Sequence, residues 1–182
     1  MKKLLLFLAP GFEEIEAINT IDILRRAGLE VVSVSITGDL RVVGAHKIAI
    51  EADSLYPDID FNDADMLILP GGMPGTKNLN VHEGLKAALT NFAKAGKPLA
   101  AICAAPMILG QLGILNGKEA TCYPGNEIHL KGATLSDHMV VQDGSIITAS
   151  GPGVASDFAL QIVSYFLGEE KAEEVSAGLL MQ

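Results

Sequence analysis

Cys103 lies in a short run of small residues, Ala101-Ile102-Cys103-Ala104-Ala105, that has the form of a nucleophile elbow. Such an elbow is a sharp, strained turn from a strand into a helix, and small neighbours let it project the central side chain above the sheet. We therefore expect Cys103 to be exposed at a helix N-terminus, where the helix dipole favours the reactive thiolate. The alternative is a buried structural cysteine, because cysteine also packs as a small hydrophobic residue.

Three acidic residues, Glu13, Glu14 and Glu16, lie at the start of the first predicted helix. Acidic side chains are favourable there because they face the positive end of the helix dipole, and this effect accounts for Glu13 and Glu14. Glu16 is predicted to point inward to the edge of the sheet. Loss of water at that position would raise the pKa of its carboxyl and make it available for proton transfer.

The pair Gly71-Gly72 follows an apolar strand. Glycine lets a backbone approach a ligand closely and turn its N–H toward it. The backbone N–H groups of Gly72 and Ala104 are therefore predicted to form an oxyanion hole beside Cys103. A simple turn after the strand is the alternative interpretation of the two glycines.

No metal or cofactor site is predicted from the remaining residues. The histidines lack the spacing of metal-ligand pairs; they are His46, His82, His129 and His138. Cys122 adjoins Tyr123 in a predicted strand over residues 120–123, and it is assigned to the core.

Strands and amphipathic helices alternate along the chain, which predicts an α/β fold with a mainly parallel sheet covered on both faces. Strands are predicted at residues 3–9, 30–36, 66–69 and 98–102, with a hairpin at 139–148. Residues 73–79 are predicted to be a loop that leads to Asn80 as a helix N-cap, and another helix is predicted over residues 104–112. In such sheets ligands bind at the carboxyl ends of the strands, which is where the motifs above lie.

Composition limits the class of protein. The chain has 182 residues, 49% of them hydrophobic and 19% charged, so it is long and apolar enough for one globular domain, 1–182. Its net charge of −9 without a basic cluster argues against nucleic acid or membrane surfaces as partners. We expect no membrane span, no cleaved leader and, with two cysteines only, a cytoplasmic location.

Four motifs taken together resemble the ThiJ/PfpI family and, within it, the DJ-one branch. They are Pro10-Gly11-Phe12-Glu13-Glu14-Ile15-Glu16, Leu69-Pro70-Gly71-Gly72, Ala101-Ile102-Cys103-Ala104-Ala105-Pro106 and Ser150-Gly151-Pro152-Gly153. The resemblance implies a flavodoxin-like three-layer α/β sandwich that is usually a homodimer and needs no cofactor. It also implies that Cys103 is the reactive cysteine, that Glu16 hydrogen-bonds its sulfur, and that Gly72 and Ala104 supply the oxyanion-hole amides.

The resemblance implies a cysteine-dependent, cofactor-free enzyme for small 2-oxoaldehydes such as methylglyoxal, of the glyoxalase or deglycase type, with a stress-protective role. A redox sensor or holdase chaperone with little turnover is the alternative. A cysteine peptidase is less favoured, because Ala104 stands where the peptidase-like branch has a histidine. A thiazole-phosphate biosynthesis enzyme is also less favoured, because the chain has no phosphate-binding glycine motif with a lysine.

Two further positions depart from the DJ-one branch. Tyr123 stands where the branch has a histidine near the cysteine, and Ser150 stands where its animal members have an arginine. Together with Gly71, these two residues are candidate pocket residues. The sequence leaves open whether Tyr123 or His46 supplements Glu16.

Overall fold

The computed structural model describes residues 1–181. Its strands, in chain order, are β1 (Lys3–Leu8), β2 (Glu30–Ser35), β3 (Arg41–Val43), β4 (Ala49–Glu51), β5 (Ser54–Leu55), β6 (Met66–Leu69), β7 (Leu99–Ile102), β8 (Glu119–Ala120), β9 (Thr134–Leu135), β10 (Val140–Asp143) and β11 (Ile146–Ala149). Its helices are α1 (Glu14–Arg26), α2 (Gly75–Asn80), α3 (Glu83–Lys94), α4 (Pro106–Gln111), α5 (Ala155–Leu167) and α6 (Glu169–Gly178). The predicted domain 1–182 includes Gln182, which lies outside the described residues.

Seven strands form the central sheet, in the order β10-β11-β7-β6-β1-β2-β5. All neighbouring pairs are parallel except β10 and β11, which form the predicted antiparallel hairpin at the sheet edge. The strands β3 and β4 pair separately as a small antiparallel ribbon. The flavodoxin-like α/β fold predicted from the sequence is confirmed.

Each face of the sheet carries its own apolar core. In β1, Leu4, Leu6 and Leu8 belong to one buried cluster with residues of α1, α5 and α6, whereas Leu5 and Phe7 belong to another with residues of α2, α3 and α4. All five side chains are fully buried, and full burial of such a side chain contributes about 1.5–3 kcal/mol to folding. The two cores hold the carboxyl ends of the central strands in fixed positions.

The predicted loop over residues 73–79 is wrong, because a short helix, α2, begins at Gly75. Asn80 ends that helix and does not cap the next one. The N-cap of α3 is His82, whose ring Nδ1 accepts a hydrogen bond from the Leu85 N–H at 3.0 Å. An unprotonated ring nitrogen thus satisfies one of the free N–H groups of the first turn, a role that usually falls to Ser, Thr, Asp or Asn.

Two predicted element boundaries also differ from the structure. The strand expected over residues 120–123 is limited to Glu119–Ala120, so Cys122 and Tyr123 lie in the loop that follows it. The helix expected from Ala104 begins at Pro106. Proline suits the first turn of a helix because the N–H that it lacks would have no partner within the helix.

No helix within residues 1–181 combines the length and apolar character that a membrane span requires.

Candidate active site

The predicted site motifs meet at one edge of the sheet. Cys103, Gly71 and Pro10 follow the strands β7, β6 and β1, which are neighbours in the sheet and run parallel. Tyr123 joins them through its backbone N–H, which donates to the Cys103 carbonyl at 2.8 Å. The carboxyl ends of three central strands therefore bring a thiol, two glycines and an acidic helix start together.

Cys103 occupies a strained turn between β7 and α4. Its φ of 65° lies in the left-handed region, which non-glycine residues adopt at a cost of about 1–3 kcal/mol. The Cys103 N–H donates to the Ala149 carbonyl at 2.8 Å, so the turn is held through both of its backbone polar groups. The predicted exposure of the Cys103 side chain is wrong, because only 8% of the residue is accessible.

Glu16 lies in the first turn of α1 and is completely buried. One carboxyl oxygen, Oε2, accepts a hydrogen bond from the Gly71 N–H at 2.7 Å. The other, Oε1, has no hydrogen-bond partner among residues 1–181. Burial raises the pKa of Glu16 to about 7, and this is the direction that the sequence predicts.

The Cys103 thiol faces this carboxyl, and each group shifts the pKa of the other. Burial raises the pKa of Cys103 to about 12, and the negative charge of Glu16 adds to the rise. The net preference for the thiolate that the sequence predicts is therefore not found, because burial and the charge of Glu16 outweigh the helix N-terminus. The two groups titrate as a pair that retains one proton between pH 7 and the upper pKa.

The backbone N–H groups of Gly72 and Ala104 act on the same sulfur in the opposite direction. Both donate toward Cys103 and lower its pKa, although burial and Glu16 outweigh them. The structure thus brings together the two amides that the sequence predicts for an oxyanion hole. They favour negative charge at the Cys103 sulfur, and an oxyanion hole requires amides that favour negative charge.

The two glycines are required by close packing, so the interpretation as a simple turn is insufficient. A Cβ on Gly71 would lie 2.7 Å from the Cys103 Cβ and 2.8 Å from Glu16 Oε2. Gly72 has a φ of 90°, and a Cβ there would collide with the Glu13 backbone nitrogen. Only glycine permits these approaches.

A cavity of about 330 Å³ opens beside Cys103. Its lining residues are uncharged: Gly72, Met73, Cys103, Ala104, Tyr123, Pro124, Gly125 and Asn126. Tyr123 is half exposed, and its ring packs on Gly151, where a Cβ would lie 3.2 Å from a ring carbon. The cavity therefore suits a small, uncharged ligand.

The candidate pocket residues Ser150 and Gly71 do not line this cavity. Ser150 lines a separate cavity of about 170 Å³, together with Cys122. Gly71 lies behind Cys103, where it contacts Glu16. Cys122 is as buried as Cys103, and burial raises its pKa to about 11.

Glu13 and Glu14 are buried, so the prediction that they serve only the helix dipole is incomplete. Glu14 accepts hydrogen bonds from the backbone N–H of His46 at 2.7 Å and from its ring at 2.8 Å. Burial alone would raise the pKa of Glu14, but these bonds lower it, and the same pair raises the pKa of His46. Within residues 1–181, His46 pairs with Glu14 and makes no hydrogen bond to Glu16.

Glu13, Glu14 and His46 are also the one group within residues 1–181 that places three metal-type donor atoms within 4.8 Å of one another. The hydrogen bonds just described already use both oxygens of the Glu14 carboxylate and the Nδ1 atom of the His46 ring. We interpret the group as an ion pair that anchors the loop after β3.

Glu13 is the residue that the sequence interpretation missed. It is the N-cap of α1, and its Oε2 accepts the Glu16 N–H at 2.7 Å. The spacing of Glu13 and Glu16 is that of an N-cap and the third helical residue, which a capping box also uses. This spacing is the signal in the sequence that indicates a role for Glu13 beyond the dipole.

The raised pKa of Glu16 predicts that the charge of this residue opposes folding at high pH. The unfolded state ionises near the ordinary pKa of 4.5 and the folded state near 7, so the free energy of unfolding falls as the pH rises between these values. Glu16→Gln removes this pH-dependent contribution to the free energy of unfolding. The free energy of unfolding of the variant, taken relative to that of the unchanged protein, should rise by on the order of 2–3 kcal/mol between pH 5 and pH 8. Urea unfolding at both pH values measures the change, and a difference independent of pH would contradict it.

The chain matches the DJ-1/PfpI family over residues 2–165. It is 37% identical to Protein dj-1beta of Drosophila melanogaster over 99% of this chain and 97% of that protein. It is also 37% identical to Protein DJ-1 homolog B of Arabidopsis thaliana over 98% of this chain, although it spans only 41% of that protein's length. The structure of oxidized DJ-1 of Toxoplasma gondii superposes with a TM-score of 0.95 at 34% identity, covering 100% of this chain and 99% of that one. The protein belongs to the DJ-1/PfpI family.

Proposed function

We propose that the protein is a cysteine-dependent enzyme that converts small 2-oxoaldehydes, such as methylglyoxal, to 2-hydroxy acids without a cofactor. The observation that carries the proposal is the pairing of a buried thiol with a buried carboxyl whose pKa is raised to about 7. A carboxyl with that pKa both accepts and donates protons at neutral pH. Removal of a reactive aldehyde in the cytoplasm would give the protein a stress-protective role.

In the first step the Cys103 sulfur attacks the aldehyde carbon and its proton passes to Glu16. A C–S bond forms as the carbonyl π bond opens, and the negative oxygen is stabilised by the N–H groups of Gly72 and Ala104. Glu16 then returns the proton to that oxygen. The product is a hemithioacetal, and the carboxyl is again ionised.

In the second step Glu16 moves a proton between the two carbons. The carboxylate removes the proton from the former aldehyde carbon, and the hydroxyl proton of the resulting enediolate passes to the neighbouring oxygen. Glu16 then returns its proton to the neighbouring carbon, which leaves a thioester of the hydroxy acid and an ionised carboxyl. One carbon is oxidised and the other reduced, so no external oxidant is needed. Water then breaks the C–S bond, restores the Cys103 thiol and releases the hydroxy acid.

The uncharged lining of the cavity supports this substrate class. Its volume of about 330 Å³ accommodates a molecule of a few heavy atoms, and the cysteine lies in its wall. The side chains of Met73 and Tyr123, both half exposed, border it. A short, neutral aldehyde fits such a cavity better than a peptide or a phosphorylated ligand does.

We predict that the purified protein consumes methylglyoxal and forms the hydroxy acid without added glutathione or metal. Cys103→Ala should abolish the reaction, and Glu16→Gln should lower kcat by at least about a hundredfold, because the amide cannot carry the proton. Cys122→Ala is the matched control, since that thiol lines a different cavity, and it should keep the activity. Full kcat in Glu16→Gln would contradict the mechanism even if Cys103 proved essential.

Redox sensing is the second candidate function, and one comparison favours it. The similar Toxoplasma gondii protein has been solved in an oxidized form. In the present chain the amides that face Cys103 would also stabilise a negatively charged oxidised sulfur. A protein that reacts with peroxide at Cys103 but leaves methylglyoxal unchanged would support this function over the first.

We also propose that two copies of the chain associate through α1. Three isoleucines of this region, Ile15, Ile18 and Ile48, are 42–56% exposed and line a shallow depression of about 390 Å³. Exposed apolar side chains clustered in this way are typical of protein interfaces. The sequence expectation of a homodimer supports a second copy of the chain as the occupant.

The predicted dimer can be tested by analytical ultracentrifugation at micromolar concentration. The unchanged protein should sediment as a dimer, and Ile18→Glu should sediment as a monomer, because a charge would be placed in the interface. Val81→Glu changes an apolar side chain that is 71% exposed outside the depression, and it should remain a dimer. A monomeric unchanged protein would refute the proposal.

A further inference from the structure

Glu13, Gly71 and Glu16 form a closed ring of hydrogen bonds beneath Cys103. The Glu13 N–H donates to the Gly71 carbonyl at 2.9 Å, and the Gly71 N–H donates to Glu16 Oε2 at 2.7 Å. The Glu16 N–H then donates to Glu13 Oε2 at 2.7 Å. Glu13 therefore binds both to the loop that carries the oxyanion-hole glycine and to the residue that carries the buried carboxyl.

Glu13 also brings a second carboxylate close to Glu16 in a region with little water. The Glu13 residue is 7% exposed and Glu16 is completely buried. Like charges at short distance in a poorly solvated site oppose simultaneous ionisation. The charge of Glu13 accordingly adds to burial in raising the pKa of Glu16.

The other ionisable groups near this pair are few. Cys103 faces Glu16 from the elbow. On the far side of Glu13, the His46 ring nitrogen lies 3.9 Å from Glu13 Oε1, but its side chain is 70% exposed and its closer partner is Glu14 at 2.8 Å. Solvent screens an ion pair with so exposed a partner. The charge of Glu13 also contributes to the raised pKa of His46, where it is the last of the causes.

We infer that Glu13 is a positioning residue for Glu16: its carboxylate fixes the Glu16 backbone, its N–H holds the Gly71 loop, and its negative charge, added to burial, favours the protonated Glu16 carboxyl. The inference deepens the proposed function, since it names a residue that positions its proton shuttle and adds to the effect of burial on that group. It does not require turnover, because the protonation of Glu16 also governs how Cys103 reacts with a simple electrophile.

Alkylation of Cys103 by iodoacetamide measures this effect. The sulfur displaces iodide to form a thioether, and the thiol proton passes to the Glu16 carboxylate. The rate should therefore rise as the first proton leaves the Cys103–Glu16 pair, with a midpoint near pH 7 in the unchanged protein. Peptide mass spectrometry follows Cys103 separately from Cys122.

Glu13→Gln keeps an oxygen that accepts the Glu16 N–H but removes the charge, so the midpoint should move to lower pH, while burial keeps it above the ordinary value of 4.5. Glu13→Asp keeps the charge and is a favoured N-cap, so its midpoint should stay near that of the unchanged protein. Glu14→Gln is the matched control: it removes an equally buried charge that makes no hydrogen bond to Glu16, and its midpoint should also stay.

An unshifted midpoint in Glu13→Gln would overturn the inference, even if the rate fell at every pH, because a purely structural role predicts that pattern. An equal shift in Glu14→Gln would also overturn it, since the effect would then belong to the general acidity of the region. Methylglyoxal turnover is measured separately. Its absence together with a shifted midpoint would refute the proposed function and leave the role of Glu13 intact.

Discussion

The site depends on the Glu16 carboxyl, which is fully buried from solvent and faces the Cys103 thiol. Glu16 has no exposed surface, and one of its oxygens lacks a partner within residues 1–181. An ionised carboxylate in that position is costly, so the carboxyl retains its proton to a higher pH than usual. The thiol beside it becomes correspondingly hard to ionise. A proton held by the pair relieves both costs, and this is the proton that the proposed reaction would use.

The order of the strands in the sheet positions this pair. Three adjacent parallel strands end at the same edge, so the thiol after β7, the glycines after β6 and the helix after β1 must meet there. Two fully buried cores, one on each face of β1, prevent the strands from shifting. This rigidity sustains the left-handed backbone of Cys103 and the close approach of Gly71, neither of which a mobile loop would maintain.

Much of this arrangement follows from the sequence. Periodicity and apolar runs predict the central strands, and the residues that follow each strand predict the edge at which the site lies. The pattern of small residues around Cys103 identifies the thiol, and the resemblance to the ThiJ/PfpI family implies that Glu16 is its carboxyl partner. The raised pKa of Glu16 also follows from the sequence, because an acidic residue at an inward-facing position must lose water.

The sequence does not predict the features that depend on the net balance of several contacts. The dipole expectation for Cys103 fails because burial and the charge of Glu16 outweigh the amides of Gly72 and Ala104. The cap of α3 is misassigned because histidine is an unusual N-cap, and the predicted loop before it contains α2. The burial of Glu13 and Glu14 is missed because their partners, Gly71 and His46, are distant in the sequence.

The protonation of Glu16 is the central claim, and infrared difference spectroscopy observes it directly. A protonated carboxyl gives a C=O stretching band that a carboxylate lacks, and the Glu16→Gln variant assigns that band to this residue. The structure predicts that the band is present at pH 6 and is lost with a midpoint near pH 7. Absence of the band at pH 6, or a midpoint near the ordinary value of 4.5, would contradict the claim that burial keeps Glu16 protonated to neutral pH.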